Sequence, residues 1–141
     1  DCDDGNACTL DRCNPVTGVC EHAPVPVTEP NPLMGSQPSI TVASFTWPAT
    51  PDATHYNNYR GSIPPTHLGS RPAASRYDHA CFESDDAFGD GATTTVDPGI
   101  PPLGWAHYYF ESGENACGES DIGHPSSGGA VPNLAPCPTP P

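Results

Sequence analysis

Ser39-Ile40-Thr41-Val42-Ala43-Ser44-Phe45-Thr46-Trp47 is the stretch that decides the fold. β-Branched and aromatic residues crowd into it, as they do in strands. Working outward, His55 to Arg60, Ala92 to Val96 and Trp105 to Glu111 repeat that chemistry between turns rich in Pro and Gly. No segment carries a convincing helical pattern. Short strand runs punctuated by turns predict an all-β sandwich over residues 39–137.

Composition decides what can hold such a sandwich together. Of 141 residues, 20 are Pro and 14 are Gly, whereas Leu, Ile, Val and Phe together number only 20. With a formal charge of −13, the chain falls among sequences that stay disordered unless something other than aliphatic burial orders them. Seven Cys and eleven aromatic residues can do so. A buried ring removes about 150–250 Å² from water, and disulfides support domains too small for a full core. The expectation is a small aromatic core, stapled covalently.

The same numbers exclude several functional classes. Four Arg, no Lys and seventeen Asp and Glu repel a phosphate backbone and exclude nucleic acid as a partner. Divalent cations are the natural counter-charge. No apolar run reaches the length of a membrane span and none resembles a signal peptide, so no membrane insertion is expected. Beginning at Asp1 without Met, the chain reads as a mature, processed segment. Its cysteines point to an oxidising compartment, hence to a secreted protein outside the cell or on its surface.

Residues 1–22 place Cys2, Cys8, Cys13 and Cys20 within nineteen residues, with turn signals at Asp4-Gly5, Asn14-Pro15 and Thr17-Gly18. Such a segment has no room for a core and must be held by bridges, among which four cysteines allow three connectivities. The pattern Cys-x5-Cys-Thr-x-Asp-x-Cys-Asn-Pro-x-Thr-Gly-x-Cys-x-His resembles the short Cys-rich repeat of slime-mould extracellular-matrix proteins, found also in secreted bacterial surface proteins. That resemblance implies matrix or surface architecture without catalysis, and here it covers a single copy.

Residues 23–38 contain five Pro and read as a linker or an extended arm. Within it, Val25, Pro26 and Val27 are placed to lie along a sheet edge, where Pro is tolerated. Residues 138–141 form a Pro-rich tail. In the sandwich, Phe45-x-Trp47-Pro-Ala, Ala53-Thr-x-Tyr56-x-x-Tyr59-Arg-Gly and Tyr108-Tyr109-Phe110 resemble a fibronectin type III domain, in a version found in secreted bacterial proteins. Tyr77-Asp78-His79-Ala80-Cys81, the acidic Asp85-Asp86-x-x-Gly-Asp90-Gly loop and Glu114-Asn115-Ala116-Cys117-Gly118-Glu119-Ser120 belong to the same likeness. Asn58 departs from it, standing where such strands carry a branched aliphatic residue. The resemblance implies a fibronectin type III-like β-sandwich preceded by a small disulfide-stapled, loop-rich module.

Of the remaining cysteines, Cys81 is expected to pair with Cys137 and tie down the tail. Closing that loop contributes about 4 kcal/mol in the chain-entropy treatment. Cys117 is then the candidate intermolecular thiol, the alternatives being that it is buried or takes Cys137 itself. The odd count leaves at least one thiol without a partner in its own chain.

Two acidic clusters are candidate Ca²⁺ sites: Asp1, Asp3, Asp4, Asn6 and Asp11, and Glu83, Asp85, Asp86, Asp90 and Asp97. Adjacent carboxylates repel, so either water or a cation must relieve them; neither cluster has the EF-hand pattern, and solvated acidic turns are the plainer reading. Six scattered His include no pair at zinc-ligand spacing, and no nucleophile elbow or phosphate loop is present. No enzyme is expected. Tyr56, Tyr59, Trp105, Tyr108 and Tyr109 are read as core before sugar platform. Thr28, Thr93 to Thr95 and Thr139 resemble O-glycosylated stretches, which makes a glycan a candidate partner. These readings converge on a homo-oligomeric extracellular filament or matrix subunit, against a monomeric adhesion or carbohydrate-binding module.

Overall fold

The computed structural model describes residues 2–67, 77–82, 92–124 and 128–138. Among the described residues there are nine strands: β1 (Thr9–Cys13), β2 (Cys20–Pro24), β3 (Met34–Ser39), β4 (Val42–Thr46), β5 (His55–Ile63), β6 (Ala80–Cys81), β7 (Thr94–Asp97), β8 (Ala106–Asn115) and β9 (Gly118–Glu119). They form an antiparallel hairpin β1-β2, a sheet ordered β3-β4-β7 and a sheet ordered β6-β5-β8-β9. The chain is all-β, a sandwich with a disulfide-stapled module ahead of it.

The deciding stretch is used differently from its first reading. Ser39 ends β3, Ile40 and Thr41 make a turn, and only Val42–Thr46 continues as a strand. β3 therefore lies inside the Pro-rich segment read as linker or arm. Pro38 is accommodated because β3 is an edge strand and its register against β4 slips between Ser36 and Ser39. In the segment Val25, Pro26 and Val27, Val25 and Val27 are half-buried and the Val25 N–H donates to the Cys8 carbonyl at 2.9 Å. Thr28 donates through N–H and hydroxyl to Asp52 Oδ2 at 2.9 and 2.7 Å, fastening the segment to the sandwich.

β5 and β8 pair in continuous register from His55↔Glu114 to Ile63↔Ala106. Because side chains alternate between faces, Tyr56, Asn58 and Arg60 share one face with Gly113, Glu111 and Tyr109. That face meets β4, where Phe45, Trp47 and Tyr56 form a core with Leu33, Ala43, Ala53 and Tyr109 around it. Phe45 and Tyr109 stack with centroids 4.1 Å apart. On the opposite face, Tyr59 packs against Ile122, Val131 and Cys137 from the C-terminal segment. Gly61 is required there, since a Cβ would sit 2.1 Å from Tyr108 Cζ.

Polar side chains fill what aliphatics do not. Asn57, Asn58, Asp97, Glu111, Ser112 and Glu114 are all buried. Most are satisfied, as burial requires. Glu119 accepts from Tyr59, Ser112 and Asn57, and the Tyr59 hydroxyl accepts from Asn133 Nδ2 at 3.0 Å and the Cys137 N–H at 3.1 Å.

Candidate functional site

The N-terminal hairpin turns at Asn14 to Gly18, where the Gly18 N–H donates to the Asn14 carbonyl at 2.8 Å and Gly18 adopts φ 70°. Asn14 Oδ1 accepts from the N–H groups of Val16 and Thr17 at 3.0 and 3.2 Å. This turn sets a register that places Asp11 opposite His22 and Cys13 opposite Cys20. Upstream, the side chains of Asp3, Asp4 and Asn6 each accept a backbone N–H two residues on, the Asx turn that suits these residues to loops. The Asp4 N–H donates to Asp11 Oδ2 at 2.9 Å, folding the loop against the hairpin.

The result is a cluster of Asp4, Asp11 and His22 whose ligand atoms lie within 4.8 Å of one another. His22 Nδ1 donates to Asp11 Oδ1 at 2.7 Å and stands 3.4 Å from Asp4 Oδ2. The bond to Asp11 raises the His22 pKa above the ordinary value, and the same bond lowers that of Asp11. Two oxygens and one imidazole nitrogen suit a borderline divalent ion better than Ca²⁺, which takes oxygens alone.

The cluster differs from the acidic set expected from sequence. Asp4 and Asp11 converge, and Asp3 stands close enough to Asp11 to help lower its pKa while also capping Gly5, whereas the amide oxygen of Asn6 caps Cys8. Asp1 lies outside the described residues, as do Glu83, Asp85, Asp86 and Asp90. Asp97 is 1 % exposed between the sheets, paired with Arg60 at 2.9 Å. Burial works to raise its pKa, yet the hydrogen bonds from Arg60, Tyr109 and Gly99 outweigh that and leave it lowered. Its carboxylate is a structural counter-ion. His22 escaped the sequence reading because its partners stand across a hairpin, not at helical or zinc-finger spacing.

Residues 1–25 match a family model described as Dictyostelium (slime mold) repeat. No curated protein matches the chain. The match spans the hairpin and the N–H to carbonyl bond from Val25 to Cys8 that closes it, and it ends where the chain leaves for the sandwich.

Within this repeat the cysteines depart from the expected four-thiol staple. Cys2 bonds Cys20, Cys8 bonds Cys117, and Cys81 bonds Cys137. Cys13 is the unpaired, exposed thiol. Cys117 is thus an intrachain partner and not an intermolecular one. The reason is spatial: Cys117 sits in the β8-β9 turn at the end of the sandwich that receives the repeat, with its N–H held by Asn115 Oδ1 at 2.7 Å. A separation of 109 residues in sequence hides that proximity. Of the candidate glycan sites, the Thr28 hydroxyl is spent on Asp52 and Thr95 is buried, while Thr139 lies outside the described residues.

Proposed function

We propose that the chain is a non-catalytic structural subunit of an extracellular filament or matrix, joined to its neighbours by head-to-tail contacts. The observation that carries this reading is the placement of the disulfides. Cys2 and Cys8 anchor the N-terminal repeat, and Cys137 anchors the C-terminal segment, so both flanks of the sandwich are joined through sulfur to β-structure. Tension passing between Cys2 and Cys137 is then carried across these bonds. Such cross-links persist in oxidising surroundings. Among the described residues, no helix is long and apolar enough to cross a membrane.

The surfaces suit propagation. β3 is an edge strand with all six residues exposed, Met34 among them, and an exposed edge is a template for another chain's backbone. A contact between two different surfaces does not close on itself and so extends. Cys13 replaces Cys117 as the thiol available to link copies. The order β3-β4-β7 facing β6-β5-β8-β9 supports reading the sandwich as fibronectin type III-like, a spacer scaffold whose function is set by what is grafted on it.

A monomeric adhesion or carbohydrate-binding module is the second reading, favoured by the exposed Ile100, Leu103 and Trp105 between β7 and β8. Light scattering and negative-stain microscopy of native material separate the two. Polymers are expected, whereas monomers of 14.7 kDa at every concentration would exclude the filament. On non-reducing gels, Cys13→Ser removes covalent dimers if that thiol joins copies.

A further inference from the structure

Among the described residues, Glu111 is the buried acid that the architecture leaves without use. It is 3 % exposed, and neither carboxyl oxygen has a hydrogen-bond partner. Burial pushes its pKa up to about 10, so at neutral pH it holds a proton. An unpaired buried acid costs stability, and each such group calls for a reason.

Glu111 lines a cavity of about 330 Å³, bounded also by Glu29 and Leu33 before β3, by Tyr77, by Phe110 and by His124. The strand register shows which backbone groups of β8, among the residues that line it, point away from β5. The Phe82 N–H donates to the Asn58 carbonyl at 2.7 Å while Tyr59 stands opposite Cys81. Tyr59 therefore turns its own N–H and carbonyl toward β8, at Phe110. By alternation, the backbone groups of Tyr109 and Glu111 point to the other edge of β8. Gly113, two residues on, does so visibly, accepting from the Ser120 N–H at 2.8 Å and donating to Ser120 Oγ at 3.0 Å. β9 pairs with β8 only at Glu114 and Asn115, so it does not cover that edge at Tyr109 and Glu111.

Charge around the cavity is acidic. Glu29 stands 3.5 Å from His124, and His124 stands 3.3 Å from Asp121. Among the described residues, Arg60 is committed to Asp97 and lies over the Phe82 ring at 4.2 Å. The chain contains no Lys at all. Among the described residues no cationic side chain pairs with Glu111, which leaves its carboxyl open to a cation from another molecule. We propose that this cavity binds an organic cation carrying several N–H donors, an alkylammonium or a guanidinium, with Glu111 as its counter-ion. The carbonyls of Tyr109 and Glu111 accept from the cation's remaining N–H groups, and Phe110 and Tyr77 supply aromatic faces that attract it. Glu29 guides it in, helped by the net charge of −13. On binding, the Glu111 carboxylic acid loses its proton to solvent and the carboxylate pairs with the cation. This site is independent of the filament reading, and its failure leaves that reading intact.

The test titrates the full chain with N-acetyl-arginine-N-methylamide and with n-butylammonium, against the uncharged N-acetyl-citrulline-N-methylamide and n-butanol. Amide NMR reads occupancy, and calorimetry in buffers of different ionisation enthalpy reads protons. Saturable binding of at least one cation is expected, with its uncharged counterpart at least about tenfold weaker and about one proton released per site at pH 7. Glu111→Gln, which keeps shape and neutrality, should weaken binding about tenfold or more with an unchanged amide fingerprint. Binding of the arginine derivative alone assigns the site to a peptide guanidinium, and binding of butylammonium to a simple amine. No saturable binding, equal binding of uncharged probes, absent proton release or a fully competent Glu111→Gln would each overturn the proposal. Proton release is measured on the unaltered chain, so the proposal stays testable if the variant misfolds.

Discussion

The N-terminal repeat and the sandwich solve one shortage in opposite ways. Both belong to a chain poor in aliphatic side chains. In β1 and β2 every residue but Thr9 is exposed, and a lone hairpin is marginal in water. The repeat persists because two disulfides and a set of Asx turns fix it. The sandwich buries Phe45, Trp47, Tyr56 and Tyr59 and fills the remaining space with hydrogen-bonded polar groups. Covalent restraint acts mainly by limiting the unfolded chain, whereas buried rings act by leaving water. The two regions should therefore respond to different reagents.

Breaking the link between them should have the largest effect. Cys8→Ser combined with Cys117→Ser opens a loop of 109 residues, for which the chain-entropy treatment gives about 4.7 kcal/mol. Urea denaturation should show a lower midpoint, and limited proteolysis should cut the repeat first. An unmoved midpoint with a resistant repeat would mean that the hairpin holds itself.

Glu111 sharpens the comparison from the sandwich side. Its folded pKa lies above the unfolded value, so between about pH 4.3 and about pH 10 the folded chain binds the proton and the unfolded chain does not. Stability consequently falls as pH rises through that window. Glu111→Gln should remove this slope and add about 3 kcal/mol at pH 7, which denaturation at pH 5 and pH 8 will show. Tyr59→Phe comes next. It deletes a hydroxyl serving Glu119, Asn133 and the Cys137 N–H, and should cost about 2 kcal/mol in the same assay.

The smallest effect belongs to the exposed pair in the repeat. His22 has a raised pKa and Asp11 a lowered one, so their attraction is present between those values. It is lost as pH rises through the folded pKa of His22, or falls through that of Asp11. Asp11→Asn should move the His22 midpoint down in an NMR titration, while the sandwich resonances stay put.

What the sequence revealed and what it hid follow from range. The strand-forming runs read at residues 39–47, His55 to Arg60, Ala92 to Val96 and Trp105 to Glu111 are local signals, and each overlaps a strand, although their ends are displaced by a few residues. Cys81 with Cys137 was legible from the need to tie down a Pro-rich end. β3 was hidden because Pro38 and its neighbours read as linker, and only an edge position with a slipped register lets them pair. Cys8 with Cys117 was hidden because cysteine spacing carries no information about which sandwich turn meets the repeat. Glu111 was hidden because a single acid in a strand reads as a solvent-facing residue. Its one visible trace was Asn58, the departure from the resembled pattern, which stands directly opposite it.

Hydrogen exchange with and without a thiol reductant tests the central claim, that sulfur holds the repeat and buried rings hold the sandwich. On reduction, amides of residues 9–24 should lose protection while those of residues 55–63 and 106–115 retain most of theirs. Simultaneous loss in both regions, or protection persisting in the reduced repeat, would contradict it.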